Sequence, residues 1–137
     1  MQLTMAKTIK KSSRIPGQNP VNPIRDVILA SMKAHPQLRR HPAEKKERLY
    51  IIGFQTSNGR TVALDKMSAS KQPMWVRLAD FPSHALPSID REFYSPEEGR
   101  NSNLRAFGGD FKNGHLIRLY PQSCSEALAI VDFLLGR

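Results

Sequence analysis

The residues of this sequence best suited to bind a ligand are lysines and arginines, which are concentrated toward its beginning. Residues 1–48 contain 11 basic and 3 acidic residues, whereas residues 49–137 contain 10 and 9. Ammonium and guanidinium groups bind phosphate oxygens whatever the base sequence, so a basic segment beside a nearly neutral remainder is typical of proteins that bind polyanions. The candidate phosphate-binding residues in this segment are Lys10, Lys11, Arg14, Arg39, Arg40, Lys45 and Lys46.

A second polar stretch runs from Arg100 to Arg105 and reads Arg-Asn-Ser-Asn-Leu-Arg. Its guanidinium and amide groups could hydrogen-bond phosphates or base edges, so Arg100 and Arg105 join the candidates. The same residue types also form turns in which side chains bond to the backbone, and the sequence leaves both interpretations open.

One strand pattern suggests catalysis. His115, Arg118 and Tyr120 lie on or beside the predicted strand from Leu116 to Tyr120, and they would be the acid–base and phosphate-stabilising groups of a small metal-independent ribonuclease. Acid–base catalysis requires the groups to meet in space, which spacing alone does not define, so no catalytic residue is assigned.

The sequence predicts no metal or cofactor site. His35 and His41 lie close together, but structural zinc usually takes four Cys and His ligands, and the single cysteine, Cys124, is distant in sequence. One cysteine excludes an internal disulfide and favours a cytoplasmic setting. No stretch approaches the roughly 20 apolar residues of a membrane-spanning helix.

The strongest structural signal is a β-hairpin between Leu49 and Lys66. Asn58-Gly59 separates two runs rich in β-branched and aromatic residues, as in tight hairpin turns. A three-residue loop with a left-handed Gly59 pairs Phe54 with Val62 and Ile52 with Leu64, and it places Tyr50 on the same face. We predict this bulged register because it alone makes one face apolar.

Two helices have clear start signals. Asn22-Pro23 predicts a helix over 23–34 whose stripe of Ile24, Val27, Ile28 and Met32 faces the core. Ser123-Cys124-Ser125-Glu126 is a capping box that opens a C-terminal helix, with Gly136 as its terminating residue. The apolar stripe of this second helix comprises Ala127, Leu128, Val131, Leu134 and Leu135.

The remaining segments complete an α+β architecture. Met74–Leu78 predicts a third strand in which Trp75 covers a neighbouring element, and residues 80–103 form a long irregular excursion with one helical turn at Ser95–Glu98. Together these elements predict a mostly antiparallel sheet of about four strands with the C-terminal helix on one face and an N-terminal helix. Residues 1–21 are predicted to be a disordered basic arm, and residues 22–137 a single domain.

Three function classes follow from these features. The first is a nucleic-acid-binding or nucleic-acid-associated accessory protein that contacts phosphates through its basic N-terminal third. The second is a protein-interaction module, an inhibitor or adaptor, that binds a protein partner through a sheet edge or the 80–103 excursion. The third is the ribonuclease. The sequence does not specify an oligomeric state or a preference for DNA or RNA.

Overall fold

The computed structural model describes residues 19–137. The predicted arm over residues 1–21, with its candidates Lys10, Lys11 and Arg14, therefore lies outside the described residues apart from its last three positions. The described chain is an α+β fold built on one antiparallel sheet, with several helices that include a C-terminal one.

The sheet has six strands, two more than predicted. They follow the order β1-β2-β3-β4-β6-β5, and every neighbouring pair is antiparallel. The strands are β1 (Leu38–Arg40), β2 (Ile51–Thr56), β3 (Thr61–Asp65), β4 (Met74–Arg77), β5 (Asp90–Tyr94) and β6 (Leu116–Tyr120).

The two unpredicted strands, β1 and β5, are the sheet edges. Each pairs with a single neighbour, and neither is fully buried along its length. A strand that is only partly buried does not need the alternation of apolar and polar residues by which strands are predicted. β5 therefore interrupts a segment predicted to be irregular, and β1 places Arg39 and Arg40 on a strand.

The predicted hairpin register is confirmed. Ile52 pairs with Leu64 and Phe54 with Val62, while Gly59 adopts a φ of 87° in the three-residue loop. The Thr56 amide donates to the Arg60 carbonyl at 2.8 Å and closes that loop. Tyr50 differs from the prediction, because it precedes β2 and is 44% exposed.

Within residues 19–137, four helices cover the sheet or connect its strands. They are α1 (Pro23–Lys33), α2 (Ser102–Arg105), α3 (Asp110–Asn113) and α4 (Cys124–Leu134), with a 3₁₀ turn at Leu78–Asp80. Both predicted N-caps are present: Asn22 accepts a hydrogen bond from the Arg25 amide, and Ser123 accepts one from the Glu126 amide. Gly136 has the predicted left-handed backbone, with a φ of 83°.

The buried face of α1 differs from the predicted stripe. Ile28 and Met32 are fully buried, but Ile24 and Val27 are exposed. Arg25 is buried instead of Ile24 and Val27, because its guanidinium donates to the Pro20 and Ser68 carbonyls. That side of the helix therefore faces the chain that precedes it and the β3–β4 loop. On α4, Ile130 is buried although it was not predicted, and Leu128 is only half-buried.

Apolar side chains pack on both faces of the sheet. On the first face, α1 and α4 cover Ile52, Phe54 and their neighbours in the main core. On the second face, Leu104 and Phe111 cover Ile51, Ala63, Trp75 and Leu116. Trp75 is 7% exposed, so it fills the second core as predicted.

The second face is closed by the chain between β5 and β6, which contains short helical pieces. At Ser95–Glu98 the structure has a turn, although the Glu98 carboxylate accepts from the Ser95 amide as a capping box would. α3 begins directly after Gly108 and Gly109. Gly109, at a φ of 52°, lets the chain enter that helical turn directly, and Phe111 reaches the core from it.

Candidate nucleic-acid interface

The 41–48 segment and the residues of α2 with those that follow it are distant in sequence but contact each other. Arg48 donates to the Asn103 carbonyl at 3.1 Å, and the His41 ring lies 4.8 Å from the Phe107 ring in an edge-on contact. Both contacts join the 41–48 segment to α2 and the residues after it. Arg105 lies between the two contact residues in sequence, so the segment that contains it is a neighbour of the segment that contains Lys45 and Lys46.

A buried carboxylate organises the 41–48 segment. The Glu44 side chain has no exposed surface, and it accepts a hydrogen bond from the Gly53 amide of β2 at 2.9 Å. The guanidinium groups of Arg40 and Arg48 each lie 3.5 Å from it. Arg40 and Arg48 thus neutralise Glu44, and both arginines hold the segment against the sheet.

Residues 42–48 form no helical turn, and neither Glu44 nor Glu47 forms an ion pair with Lys45 or Lys46. The segment forms turns and bends, because Glu44 points inward toward β2. Glu47 instead contacts Lys33 of α1 at 2.8 Å and Lys66 at 2.6 Å. Lys45 and Lys46 are exposed, and no carboxylate within residues 19–137 forms an ion pair with either.

Arg39 and Arg105 are the two other exposed candidates. The Arg39 guanidinium donates to the neutral side-chain amide of Gln55 across the β1–β2 pair. This contact does not offset the positive charge of Arg39. Arg105 ends α2 and has no ion pair among the described residues. We call Arg39, Lys45, Lys46 and Arg105 the basic edge.

Arg100 lies apart from the basic edge. Its guanidinium donates to the Ser95 and Gly114 carbonyls and joins the two ends of the segment that covers the second face. Two of its nitrogen atoms, Nε and Nη1, are buried without an acceptor. Arg100 therefore lines a cavity on the second face of the sheet, and its contact with a phosphate stays a prediction.

The three residues of the ribonuclease hypothesis are only partly brought together. Arg118 and Tyr120 share a face of β6, with the guanidinium carbon 5.3 Å from the Tyr120 ring centre. Burial and a hydrogen bond to Glu92 raise the pKa of Tyr120 to about 12. His115 precedes the strand and is five residues from Tyr120, which corresponds to about 16 Å along a strand. These two groups do not meet at one phosphate.

Neither the possible metal ligands nor the cysteine forms a reactive centre in the described chain. Among residues 19–137, no three His, Cys, Asp or Glu side chains converge as metal ligands would. Cys124 is half-buried at the start of α4, where its Sγ donates to the Ser31 hydroxyl of α1 at 3.3 Å. This contact gives the thiol a packing role between the two helices.

Sequence reasoning missed the buried carboxylate that positions the basic edge. A signal was present, because Glu44 lies four residues from both Arg40 and Arg48, the spacing of ion pairs on a helix. The pairs form here without a helix. Only the pairing of β2 with β1 shows that a backbone amide, that of Gly53, completes the site.

The pairing of Glu47 with two lysines predicts a pH dependence of stability. Burial would raise the pKa of Glu47, but the hydrogen bonds and charges of Lys33 and Lys66 outweigh burial and hold it at about 2. A carboxylate with a depressed pKa stabilises the fold above its unfolded pKa of about 4.5, and this contribution disappears as the pH falls toward 2. We expect the Glu47→Gln variant to approach the wild type in stability over that range in urea titrations. A difference that stays constant from pH 6 to pH 2 would contradict the ion-pair assignment.

The described residues form an α+β fold with an antiparallel sheet that is covered on both faces, and the basic edge gives this fold an exposed group of cations. The chain matches no protein-family model, no curated protein and no solved structure. Within residues 19–137, none of the helices has the length and apolar character needed to cross a lipid bilayer.

Proposed function

We propose that this protein binds nucleic acid through the phosphate backbone, with the basic edge as the contact surface within the folded part. One observation carries the proposal: Lys45 and Lys46 in one segment and Arg105 in another are exposed, the two segments contact each other, and none of the three side chains has an ion pair within residues 19–137. Exposed cations of this kind release the counterions condensed on a nucleic acid when they contact its phosphates.

The internal ion pairs support this assignment. Most acidic residues near the basic segment are turned toward structural partners, as Glu44 is toward Arg40 and Arg48 and Glu47 is toward Lys33 and Lys66. The four cations of the basic edge have no ion pair within residues 19–137. Lys10, Lys11 and Arg14 precede the described residues, and we propose that they add phosphate contacts to the same complex.

Binding of a protein partner is a second candidate, and β5 favours it. This strand forms a sheet edge, and its Phe93 side chain is 52% exposed although it points toward the face that carries the main core. An exposed edge with an apolar side chain can pair with an added strand from a partner. The exposed carboxylates of Asp90 and Glu92 on the opposite face would favour a basic partner strand.

A salt titration with charge-matched variants tests the nucleic-acid proposal. Binding of the full chain to fluorescent duplex DNA, single-stranded DNA and RNA is measured by anisotropy. We expect Lys45→Ala/Lys46→Ala to reduce the slope of log K against log salt on duplex DNA by about 1.8, because each phosphate left without its cation lowers the slope by roughly 0.9. The control, Lys71→Ala/Lys112→Ala, removes the same charge at exposed lysines outside the basic edge and should leave the slope nearly unchanged.

Two further outcomes are informative. Lys10→Ala/Lys11→Ala/Arg14→Ala in the full chain should reduce the slope further if the early basic residues contact phosphates. Equal reductions by the two lysine-pair variants would show that net charge alone drives binding and would remove the basic edge from the proposal. Absence of binding by the wild type at low salt would overturn the proposal altogether.

A further inference from the structure

The second face of the sheet contains a cavity of about 250 Å³. Its floor is formed by Ile51 and Trp75 of the sheet, and its cover by the segment from Gly99 to Leu104. This volume lies below the about 300–1,000 Å³ of pockets for drug-sized ligands, so it suits a single small ring system. Neither the phosphate-binding role nor the packing of the second core requires an open space there.

Aromatic groups line this cavity. The rings of Trp75 and Tyr94 meet edge to face with centres 4.8 Å apart, and the guanidinium of Arg118 lies 5.2 Å from the Trp75 ring centre. Aromatic rings and guanidinium planes are the groups on which proteins stack unpaired bases. The cavity therefore offers flat, polarisable surfaces to a planar ligand.

The polar groups of the cavity include both donors and an acceptor. The Asp65 carboxylate accepts from the Met67 amide at 2.6 Å and from Arg118 at 3.2 Å, and two further lone-pair positions remain on its oxygens. The Asn101 side-chain oxygen accepts from the Asn103 amide, which leaves the Asn101 amide N–H groups for a ligand. Arg100 and Arg118 add further donors at the cavity wall.

This mixture of groups discriminates between ligand chemistries. A free phosphate or carboxylate could pair with Arg100 and Arg118 but would leave the lone pairs of Asp65 without a donor, and an aliphatic ligand would leave the carboxylate and the amide without partners. The edge of a nucleobase carries N–H donors beside carbonyl or ring-nitrogen acceptors, and its faces are apolar and flat. The lining therefore complements a base better than it complements an anion.

We propose that this cavity holds one unstacked nucleobase of a single-stranded or locally opened nucleic acid, an inference that rests on the proposed function. The base stacks against the aromatic wall, and its edge bonds to Asp65 and Asn101. α2 connects this cavity to the phosphate-binding surface, because Leu104 lines the cavity and the next residue, Arg105, belongs to the basic edge. Three strand spacings, about 14 Å, separate β4 from β1, a distance that a few nucleotides can span.

The protein contains its own reporter and a position at which the cavity can be filled. Trp75 is the single tryptophan, so a ligand in the cavity should change the intrinsic fluorescence directly. Gly99 lines the cavity, and a Cβ atom added there would meet no other atom within 4 Å. Gly99→Phe therefore adds a ring at the cavity wall without a backbone clash, and Gly99→Ala is the matched control.

The experiment titrates the full chain with the four nucleoside monophosphates, the four nucleosides, ribose 5-phosphate and inorganic phosphate while Trp75 fluorescence is recorded. We expect saturable quenching by nucleosides and nucleotides. Gly99→Phe should weaken it at least tenfold, and Gly99→Ala should leave it within about twofold. Saturation by ribose 5-phosphate or inorganic phosphate alone, or quenching that Gly99→Phe leaves unchanged, would overturn the nucleobase assignment.

A second readout separates this inference from the proposed function. Gly99→Phe should reduce the affinity for single-stranded oligonucleotides while the salt slope and duplex binding stay at wild-type values, because the basic edge is intact. Lys45→Ala/Lys46→Ala should reduce the salt slope while nucleoside quenching persists. Single-strand binding that Gly99→Phe leaves unaffected would contradict the cavity inference alone, and circular dichroism spectra of both Gly99 variants check that they are folded.

Discussion

Replacing Glu44 with alanine is expected to lower the free energy of unfolding by about 1–3 kcal/mol, the usual cost of leaving a buried hydrogen-bond donor without its acceptor. The substitution removes the acceptor of the Gly53 amide and the negative charge that Arg40 and Arg48 share. It also leaves a void between the 41–48 segment and the sheet. Urea denaturation followed by circular dichroism measures the decrease in stability.

Glu44→Gln separates the hydrogen bond from the charge. The amide oxygen of glutamine can still accept from Gly53, and the side-chain volume is nearly unchanged, so this variant should lose clearly less stability than alanine. A decrease below about 1 kcal/mol for Glu44→Ala would show that the two arginines find other partners at little cost. In that case Glu44 would not hold the segment to the sheet.

The same variant links stability to the proposed function. Glu44 holds the segment that carries Lys45 and Lys46, and neither lysine is changed by the substitution. If the fixed arrangement of the basic edge matters, Glu44→Ala should weaken nucleic-acid binding under conditions in which the protein remains folded. Binding stronger than that of the wild type would instead indicate that net positive charge outweighs the arrangement.

Leu134→Asp is expected to unfold much of the protein. Leu134 is the last residue of α4 and is fully buried in the main core, and leucine-to-alanine changes in cores cost about 2–5 kcal/mol. A carboxylate at this position adds the cost of a buried, unpaired charge. The total approaches the about 5–15 kcal/mol by which domains are stable, so the variant should show little cooperative unfolding.

Leu134→Met is the control for this substitution because it nearly conserves volume and introduces no charge. It should cost less than about 1.5 kcal/mol and retain a cooperative transition. A Leu134→Asp variant with a wild-type unfolding midpoint would show that α4 does not close the core. The backbone of Leu134 also accepts hydrogen bonds from Asn58 and Arg60 in the hairpin loop, so disruption of α4 packing should loosen that loop.

The elements predicted correctly have strong local signals. The register of β2 and β3 follows from the Asn58-Gly59 loop and from the need to bury Ile52 and Phe54 on one face. The first turns of α1 and α4 follow from cap residues that bond to amides three residues away. In each case the decisive interaction joins residues close in sequence, which is why local patterns suffice.

The edge strands and the burial of α1 could not be predicted in this way. β5 has exposed residues on both faces and exists because β6 offers it a hydrogen-bonding partner more than twenty residues later in the chain. The burial of Arg25 in place of Ile24 depends on carbonyl acceptors supplied by Pro20 and by Ser68 of a distant loop. Both features depend on which residues become neighbours when the chain folds.

The candidate site is likewise determined partly by the local sequence and partly by the tertiary structure. The positive charge before residue 49, the hairpin and the two capped helices follow from the sequence alone, because charge and local capping are properties of the residues and their immediate neighbours. Which cations stay uncompensated depends on the tertiary structure, since Glu44 and Glu47 pair with partners that the fold brings to them. The cavity beside Trp75 exists only in the packed molecule, because its walls come from several strands and from a segment that folds back over them.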